Sequence, residues 1–181
     1  MGGISCALAA IFLSTSPIRG IASDCGEKSG VNFRIVTDKL VYPPKSRMRV
    51  DFLVTNKEEV PLYFFRTLSQ CSSQIGSYLL LIVDQKKHQV PIQRCSADLL
   101  MDKLDVLETL TNPKFGILLR QGDVYGLEED FELPAEKGTY SLNAELEPPG
   151  FTDKQRDILT ANKMRVLECP RRAPSVIITI K

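Results

Sequence analysis

Apolar and polar residues alternate along much of this chain with a period of two, which is the pattern of strands with one buried face. The clearest example is RMRVDFLVTN (47–56), whose apolar positions are Met48, Val50, Phe52 and Val54. Similar segments are VNFRIVT (31–37), VPLYFFRT (60–67), SYLLLIVD (77–84), HQVPIQR (88–94), FGILL (115–119), DFELP (130–134), TYSLNAELE (139–147) and SVIITIK (175–181). About eight short strands separated by turn residues predict an all-β fold, an antiparallel sandwich or barrel.

Two segments depart from this alternation. The stretch from Ser96 to Leu110 places leucines at helical spacing, but alternation within it also allows a strand, so both interpretations stay open. Between Thr152 and Lys163 we predict a short surface helix, because Thr152 is a suitable N-cap and an acidic residue follows in the first turn. These insertions lengthen the chain beyond the roughly 100 residues of a minimal sandwich.

The segment joining the first two strands contains Tyr42, Pro43 and Pro44. The prolines cannot donate to a strand ladder and they favour a turn. We therefore predict that this segment only connects two strands, with Tyr42 packed on the end of the sheets.

The N-terminus differs in kind from the rest. ISCALAAIFL (4–13) is uncharged and too short to span a bilayer, and small residues follow it. We predict a signal peptide at 1–22, cleaved after Ala22 or Ser23, and a single domain at 23–181; a buried N-terminal strand or helix is the alternative. Removal of the leader leaves 22 basic and 22 acidic residues. A neutral protein has no long-range field for nucleic acid or anionic membranes.

Cysteine usage supports export to the periplasm or the cell exterior. Cys6 leaves with the leader, and an even number remains: Cys25, Cys71, Cys95 and Cys169. Exported chains of this kind usually form disulfides, and three pairings are possible. Cys71 and Cys95 flank a predicted hairpin, so we expect these two to pair and Cys25 to pair with Cys169. The second bridge would be worth roughly 4–5 kcal/mol in the chain-entropy model. The spacing is unsuitable for zinc.

FRIVTDKLVYPPKSRMRVDFLVTN (33–56) resembles the opening of macroglobulin-type domains, and also bacterial exported domains related to the intracellular proteinase inhibitor family. EKGTYSLNAELE (136–147) and SVIITI (175–180) resemble their last two strands. The resemblance implies an immunoglobulin-like β-sandwich with Tyr140 at a tyrosine corner, its hydroxyl bonded to backbone just upstream. It covers about a third of the chain and implies a fold rather than an activity.

Residues with catalytic potential form no recognisable constellation. The single histidine, His88, follows two lysines at a predicted hairpin turn, so we expect it to be solvated and not catalytic. Paired carboxylates could still catalyse acid–base chemistry. The candidates are Asp123, Glu128, Glu129 and Asp130, and a second set of Asp102, Asp105 and Glu108. A solvated acidic surface is the simpler interpretation of both sets. We predict no catalytic residues, no metal site and no cofactor.

Tyr63, Phe64 and Phe65 follow one another, so aromatic side chains must project from both faces of their strand. One face should enter the core. The other is either covered by the 96–110 insertion, which we favour, or exposed as a contact for a protein partner.

Together these features predict an exported, non-enzymatic β-sandwich with a binding or structural role. One alternative is a proteinase inhibitor that uses a loop at the sandwich end or the 63–65 strand, and a second is a carboxylate-dependent enzyme. Composition and pattern leave the partner and the oligomeric state open.

Overall fold

The computed structural model describes residues 30–66, 78–90 and 105–181. In these ranges the chain is mostly β-strand, which confirms the all-β class. The strands are β1 (Val31–Thr37), β2 (Val41–Tyr42), β3 (Arg47–Asn56), β4 (Leu62–Phe65), β5 (Tyr78–Val83), β6 (Gln89–Val90), β7 (Gly116–Leu119), β8 (Val124–Glu132), β9 (Gly138–Leu146), β10 (Arg165–Val166), β11 (Arg171–Arg172) and β12 (Val176–Ile180). The helices in these ranges are α1 (Val106–Thr111) and α2 (Asp153–Ala161).

The strands form one six-stranded and two three-stranded sheets in the described ranges. One three-stranded sheet has the order β1-β3-β8, and the other has the order β10-β4-β7. The six-stranded sheet has the order β2-β12-β9-β5-β6, and β11 also pairs with β9. The antiparallel prediction is wrong at two pairs, because β2–β12 and β4–β10 are parallel. Each parallel pair joins segments far apart in sequence, as a parallel pair requires a long connection.

One hydrophobic core is shared by the β1-β3-β8 sheet and the six-stranded sheet. The first contributes Phe33, Val50, Phe52 and Phe131, and the second contributes Leu80, Leu142 and Ile178. Alternation determines this sharing, since every second residue of β3 from Met48 to Val54 is fully buried. The Phe52 ring lies 6.4 Å from that of Phe33 and 6.1 Å from that of Phe131. Burial of each large apolar side chain contributes roughly 1.5–3 kcal/mol.

Strand β8 begins earlier than the sequence pattern predicts. The predicted strand starts at Asp130, whereas β8 starts at Val124 and pairs along its whole length with β3. Three consecutive acids, Glu128 to Asp130, conceal the alternation of buried and exposed positions. Two of these acids, Glu128 and Asp130, pair with arginines on β3, and opposite charges across a ladder stabilise it.

A second, smaller core lies between β4, α1 and α2. It contains Phe65, Val106, Leu110, Phe151 and Leu159. The Phe65 and Phe151 rings are 6.0 Å apart. At Gly116 any Cβ would collide with the Leu110 carbonyl, so only glycine allows β7 to pass so close to the end of α1.

The predicted helix between Thr152 and Lys163 is confirmed, whereas the 96–110 insertion is described only in part. Thr152 caps α2, and Thr152 and Gln155 form a reciprocal capping box, which confirms the predicted surface helix. In the 96–110 insertion only residues 105–110 are described, and these form the Asp105 N-cap and most of α1. The last part of the insertion is therefore helical, and the rest lies outside the described residues.

The segment that contains Tyr42, Pro43 and Pro44 links the β1-β3-β8 sheet to the six-stranded sheet. β1 belongs to the three-stranded sheet, while β2 pairs with β12 of the six-stranded sheet. Tyr42 ends β2, and its hydroxyl donates to Asp38 Oδ1 at 2.7 Å and accepts from the Lys39 amide at 3.0 Å, both in the segment between β1 and β2. Tyr42 is buried, as predicted for a residue that packs on the sheets. Burial and the Asp38 bond raise the pKa of Tyr42 to about 12.

Several predictions concern residues outside the described ranges. They include the signal peptide and Cys25, Cys71 and Cys95. Cys169 lies within the described part of the chain and is disulfide-bonded. Its partner lies outside the described residues, so both predicted pairings stay predictions.

Candidate binding surface

Among the residues that the structure describes, the outer face of the six-stranded sheet, here called the neutral face, carries few charged side chains. Its positions alternate with the buried ones along each strand and therefore point away from the core. They are Val41, Leu79, Leu81, Val83, Gln89, Thr139, Ser141, Asn143, Glu145, Arg172, Ile177 and Thr179. The two charged residues are neighbours, and the Arg172 Nε donates to Glu145 Oε2 at 3.1 Å.

Because of the cross-strand register, side chains of different sizes lie next to one another on the neutral face. Ile177, Ser141 and Val83 occupy one row across β12, β9 and β5. The central strand therefore presents a small side chain between two aliphatic ones. Ile177 is 54% exposed, and Val41, on the neighbouring strand β2, is 45% exposed. In this row the surface is lowest at Ser141, with an aliphatic side chain on each side of it.

The outer face of the β1-β3-β8 sheet, here called the charged face, has the opposite character. Seven of its thirteen outward positions are charged, namely Arg34, Arg47, Arg49, Asp51, Glu128, Asp130 and Glu132. Arg49 pairs with Glu128 at 3.3 Å and Arg47 with Asp130 at 4.0 Å. The two faces cover one core, yet most of their charged side chains lie on the charged face. Depletion of charge is typical of the centre of a protein–protein interface.

A cavity of about 310 Å³ lies at one end of the neutral face. Its apolar lining includes Leu79 and Leu81 of β5, and its polar lining includes Asn143, Glu145 and Arg172. The cavity extends to the connection between β11 and β12, where the Ser175 hydroxyl donates to Asn143 Oδ1 at 2.6 Å. This concavity with apolar walls and few polar groups can receive a protruding side chain of a partner.

The aromatic strand β4 is largely inaccessible. Leu62 and Phe64 enter the main core, while Tyr63 and Phe65 face the second core beneath the helices. Phe64 and Phe65 are each 2% exposed, so the possible partner contact at Tyr63, Phe64 and Phe65 is wrong for the two phenylalanines. Tyr63 is half-buried. Residues of the 96–110 insertion do cover this side, but helix α2 contributes as well, which periodicity alone could not reveal.

His88 lies at the β5–β6 hairpin, as predicted, and its side chain is exposed. The residue has a partner in Asp84, because its Nδ1 lies 3.4 Å from Asp84 Oδ2 and its amide donates to Asp84 Oδ1 at 2.8 Å. The hydrogen bond that the His88 backbone amide donates is the main reason that the pKa of Asp84 is lowered. These contacts close the hairpin turn.

The candidate carboxylates are dispersed. Glu128 and Asp130 point outward on the charged face, whereas Glu129 points to the opposite side of β8. Asp123 accepts a bond from the Arg120 amide in the β7–β8 turn at 2.8 Å. In the second set Asp105 caps α1, Glu108 is exposed on that helix, and Asp102 lies outside the described residues.

Tyr140 lies on β9 with its ring in the main core. Its hydroxyl donates to the Glu136 carbonyl at 2.8 Å, four residues upstream. Burial raises the pKa of this phenol. The contact pins the β8–β9 connection against the start of β9.

Among residues 30–66, 78–90 and 105–181, no three His, Cys, Asp or Glu side chains are grouped as metal ligands would be. Within the same ranges the helices are too short or too polar to cross a bilayer. Neither a scan against protein-family models nor a search of curated proteins finds a match to this chain.

Proposed function

We propose that the chain is an exported, non-enzymatic immunoglobulin-like β-sandwich that binds a protein through its neutral face. The observation that carries this proposal is the contrast between the neutral face and the charged face. Ionic side chains are costly to desolvate unless they are paired with good geometry, so the neutral face, whose charged residues Glu145 and Arg172 are paired with each other, is better suited to burial than the charged face.

Strand order supports the immunoglobulin-like assignment. The first described strand, β1, lies in the β1-β3-β8 sheet, the chain crosses at the Tyr42 connection, and the last strand, β12, lies beside β2 in the opposite sheet. Such crossings between two packed sheets are typical of Greek-key sandwiches. The Tyr140 hydroxyl bond to Glu136 fits a tyrosine corner. The absence of tryptophan sets the chain apart from antibody domains.

Export is supported by the leader-like segment 4–13 and by the even number of cysteines that follow it. The disulfide at Cys169 is consistent with an oxidising compartment. Peptide mapping without reduction tests the expected bridges Cys71–Cys95 and Cys25–Cys169. N-terminal sequencing of the exported protein tests cleavage after Ala22 or Ser23.

The two faces provide a matched pair of variants for the binding test. Ile177 on the neutral face and Val36 on the charged face are both β-branched, and they are 54% and 44% exposed. We expect Ile177→Arg to abolish capture of a partner from the exported fraction of the producing cell, while Val36→Arg leaves it intact. Equal effects of the two substitutions, with both variants folded, would contradict the use of the neutral face.

Catalysis is tested separately. If purified chain turned over a hydrolase or transferase substrate, and a single carboxylate substitution removed that turnover, the non-enzymatic part of the proposal would be wrong.

A further inference from the structure

We propose that one end of the two sheets that share the main core, here called the lysine end, docks onto the headgroup plane of an anionic lipid bilayer. The lysine end consists of the connections β1–β2 (38–40), β2–β3 (43–46), β5–β6 (84–88) and β8–β9 (133–137). It is a different surface from the neutral face, so this inference does not depend on the proposed function.

Strand pairing brings these connections together from distant parts of the sequence. Gly138, Ile180 and Tyr42 form one row across β9, β12 and β2, so the chain before Gly138 and the chain after Tyr42 leave the sheet at the same level. The Lys45 amide donates to the Pro134 carbonyl at 3.3 Å, which joins two of the connections directly. On the other side of β9 the β5–β6 hairpin extends toward the same end, because β5 is antiparallel to β9.

The lysine end is positive, although the chain as a whole is nearly neutral. Its connections contain five lysines and three acids, a net charge of +2. Two of the acids already accept hydrogen bonds, Asp38 from the Tyr42 hydroxyl and Asp84 from the His88 amide. The lysines are all exposed, and they are Lys39, Lys45, Lys86, Lys87 and Lys137. Cations therefore dominate the part of this end that faces solvent.

The opposite end of the same sheets has the opposite balance. Its described connections β3–β4 (57–61), β7–β8 (120–123) and β9–α2 (147–152) contain two basic and four acidic residues. One of these acids, Glu58, is paired with Arg165 at 3.0 Å. Charge is thus separated along the length of β9, and this separation would orient the lysine end toward an anionic surface at close range.

The backbone conformation of two lysines points to a role for their side chains. In the described ranges the non-glycine residues with positive φ are Lys45, Lys87 and Lys163, and the first two, at 57° and 64°, belong to the lysine end. Glycine adopts this left-handed conformation with the least strain. Strained positions of this kind are concentrated at functional sites. A need for the ammonium group explains why lysine occupies both positions.

The chemistry of the lysine end favours a bilayer over nucleic acid. Its connections contain no arginine for bidentate contacts to bases and no phenylalanine, tyrosine or tryptophan on which a base could stack. Leu40, beside Lys39, is 60% exposed. An exposed aliphatic side chain among lysines suits a membrane interface, where the leucine enters the acyl boundary and the ammonium groups contact phosphates. Docking by this end leaves the neutral face accessible, because that face runs along β9 and away from the end.

Co-sedimentation with lipid vesicles tests the inference, using protein purified from the exported fraction under oxidising conditions. We expect binding at low salt to phosphatidylcholine vesicles that contain about 30% phosphatidylglycerol, and none to phosphatidylcholine alone. Binding should be lost at about 1 M salt, where the screening length falls to about 3 Å. Absence of binding to the anionic vesicles at low salt would overturn the inference.

Two double variants locate the contact. Lys45→Gln with Lys87→Gln should weaken binding roughly 25-fold, since each lysine near an anionic surface contributes roughly fivefold. Lys57→Gln with Arg120→Gln removes the same charge from the opposite end and should bind as the unmodified chain does. Equal losses in the two double variants would show that net charge, and not the lysine end, determines binding, and the inference would be wrong.

A pair of aliphatic variants tests entry into the bilayer. Leu40→Ser should weaken vesicle binding roughly fivefold, whereas Val60→Ser, at a 54% exposed position of the opposite end, should leave it unchanged. Thermal melts check that every variant is folded. No loss in Leu40→Ser, or retention on soluble heparin without vesicle binding, would show that the surface binds an acidic polymer and that bilayer docking is wrong. Capture of a protein by the neutral face is tested separately by Ile177→Arg, so either proposal can fail alone.

Discussion

The side chain of Asn56 provides a sharp test of how the small β10-β4-β7 sheet is attached to the main core. Asn56 ends β3 and is fully buried. Its Nδ2 donates to the Val60 carbonyl at 3.0 Å and to the Leu119 carbonyl at 2.9 Å. Its Oδ1 accepts from the Glu58 amide at 3.1 Å and from the Arg165 guanidinium at 3.1 Å. One amide thereby connects four segments of the chain.

We expect Asn56→Leu to destabilise the protein by about 4 kcal/mol. Leucine has a similar volume, so the loss is mainly polar. The Val60 carbonyl keeps a bond from Arg165 at 3.0 Å, but the Leu119 carbonyl and the Glu58 amide each lose a partner. A buried group left unpaired costs about 1–3 kcal/mol; the Leu119 carbonyl bond is buried and the Glu58 amide bond is partly buried, so the upper end for the first and the lower end for the second give the expected value. That is a large share of the 5–15 kcal/mol that stabilises a typical domain.

Urea unfolding followed by circular dichroism measures this loss, with the free energy of unfolding extrapolated at an unchanged m-value. Asn32→Leu is the matched control, because Asn32 is exposed on the charged face. It should change stability by less than about 0.5 kcal/mol. If Asn56→Leu costs less than about 1 kcal/mol, or no more than the control, the amide does not hold these segments together.

Three further substitutions test other parts of the fold. The pKa of Tyr42 is raised from 10.0 to about 12, so the contribution of this phenol to stability is complete below pH 10 and is lost as the pH rises to about 12. Tyr42→Phe should remove this part of the loss of stability at alkaline pH. A parallel loss in both proteins would contradict the prediction. Thr152→Ala should cost about 1 kcal/mol because the α2 capping box is lost, and Thr152→Ser should restore most of it in the same unfolding assay. Phe65→Ala should cost about 3–5 kcal/mol of stability by opening a cavity in the second core. Leu118→Ala, at a 40% exposed position on the adjacent strand, should cost far less. Equal losses would show that the helices do not bury Phe65.

Local alternation predicted some strands much better than others. β1 and β3 match their predicted bounds, because a regular succession of buried and exposed positions needs no distant information. The two-residue strands β2, β10 and β11 are too short to show a period, and they exist only through pairing with residues far away in sequence. Hydrophobic pattern also cannot tell which segment covers Phe65, since that depends on how α1 and α2 pack together.

The neutral face was not predicted, although a signal for it was present. Outward positions in TYSLNAELE, such as Ser141 and Asn143, are small and uncharged, whereas those in RMRVDFLVTN begin with Arg47 and Arg49. Comparing outward positions between strands would have indicated two unlike surfaces. The register that assembles these positions into continuous faces comes from long-range pairing, which only the structure provides.

Site-specific photo-cross-linking in the producing cell tests the binding surface most directly. A benzophenone amino acid is introduced at position 177 on the neutral face or, in a separate variant, at position 36 on the charged face. After irradiation we predict a covalent adduct to a protein from position 177 and none from position 36. Adducts from position 36 alone, or none from either position in a folded, exported protein, would contradict binding through the neutral face.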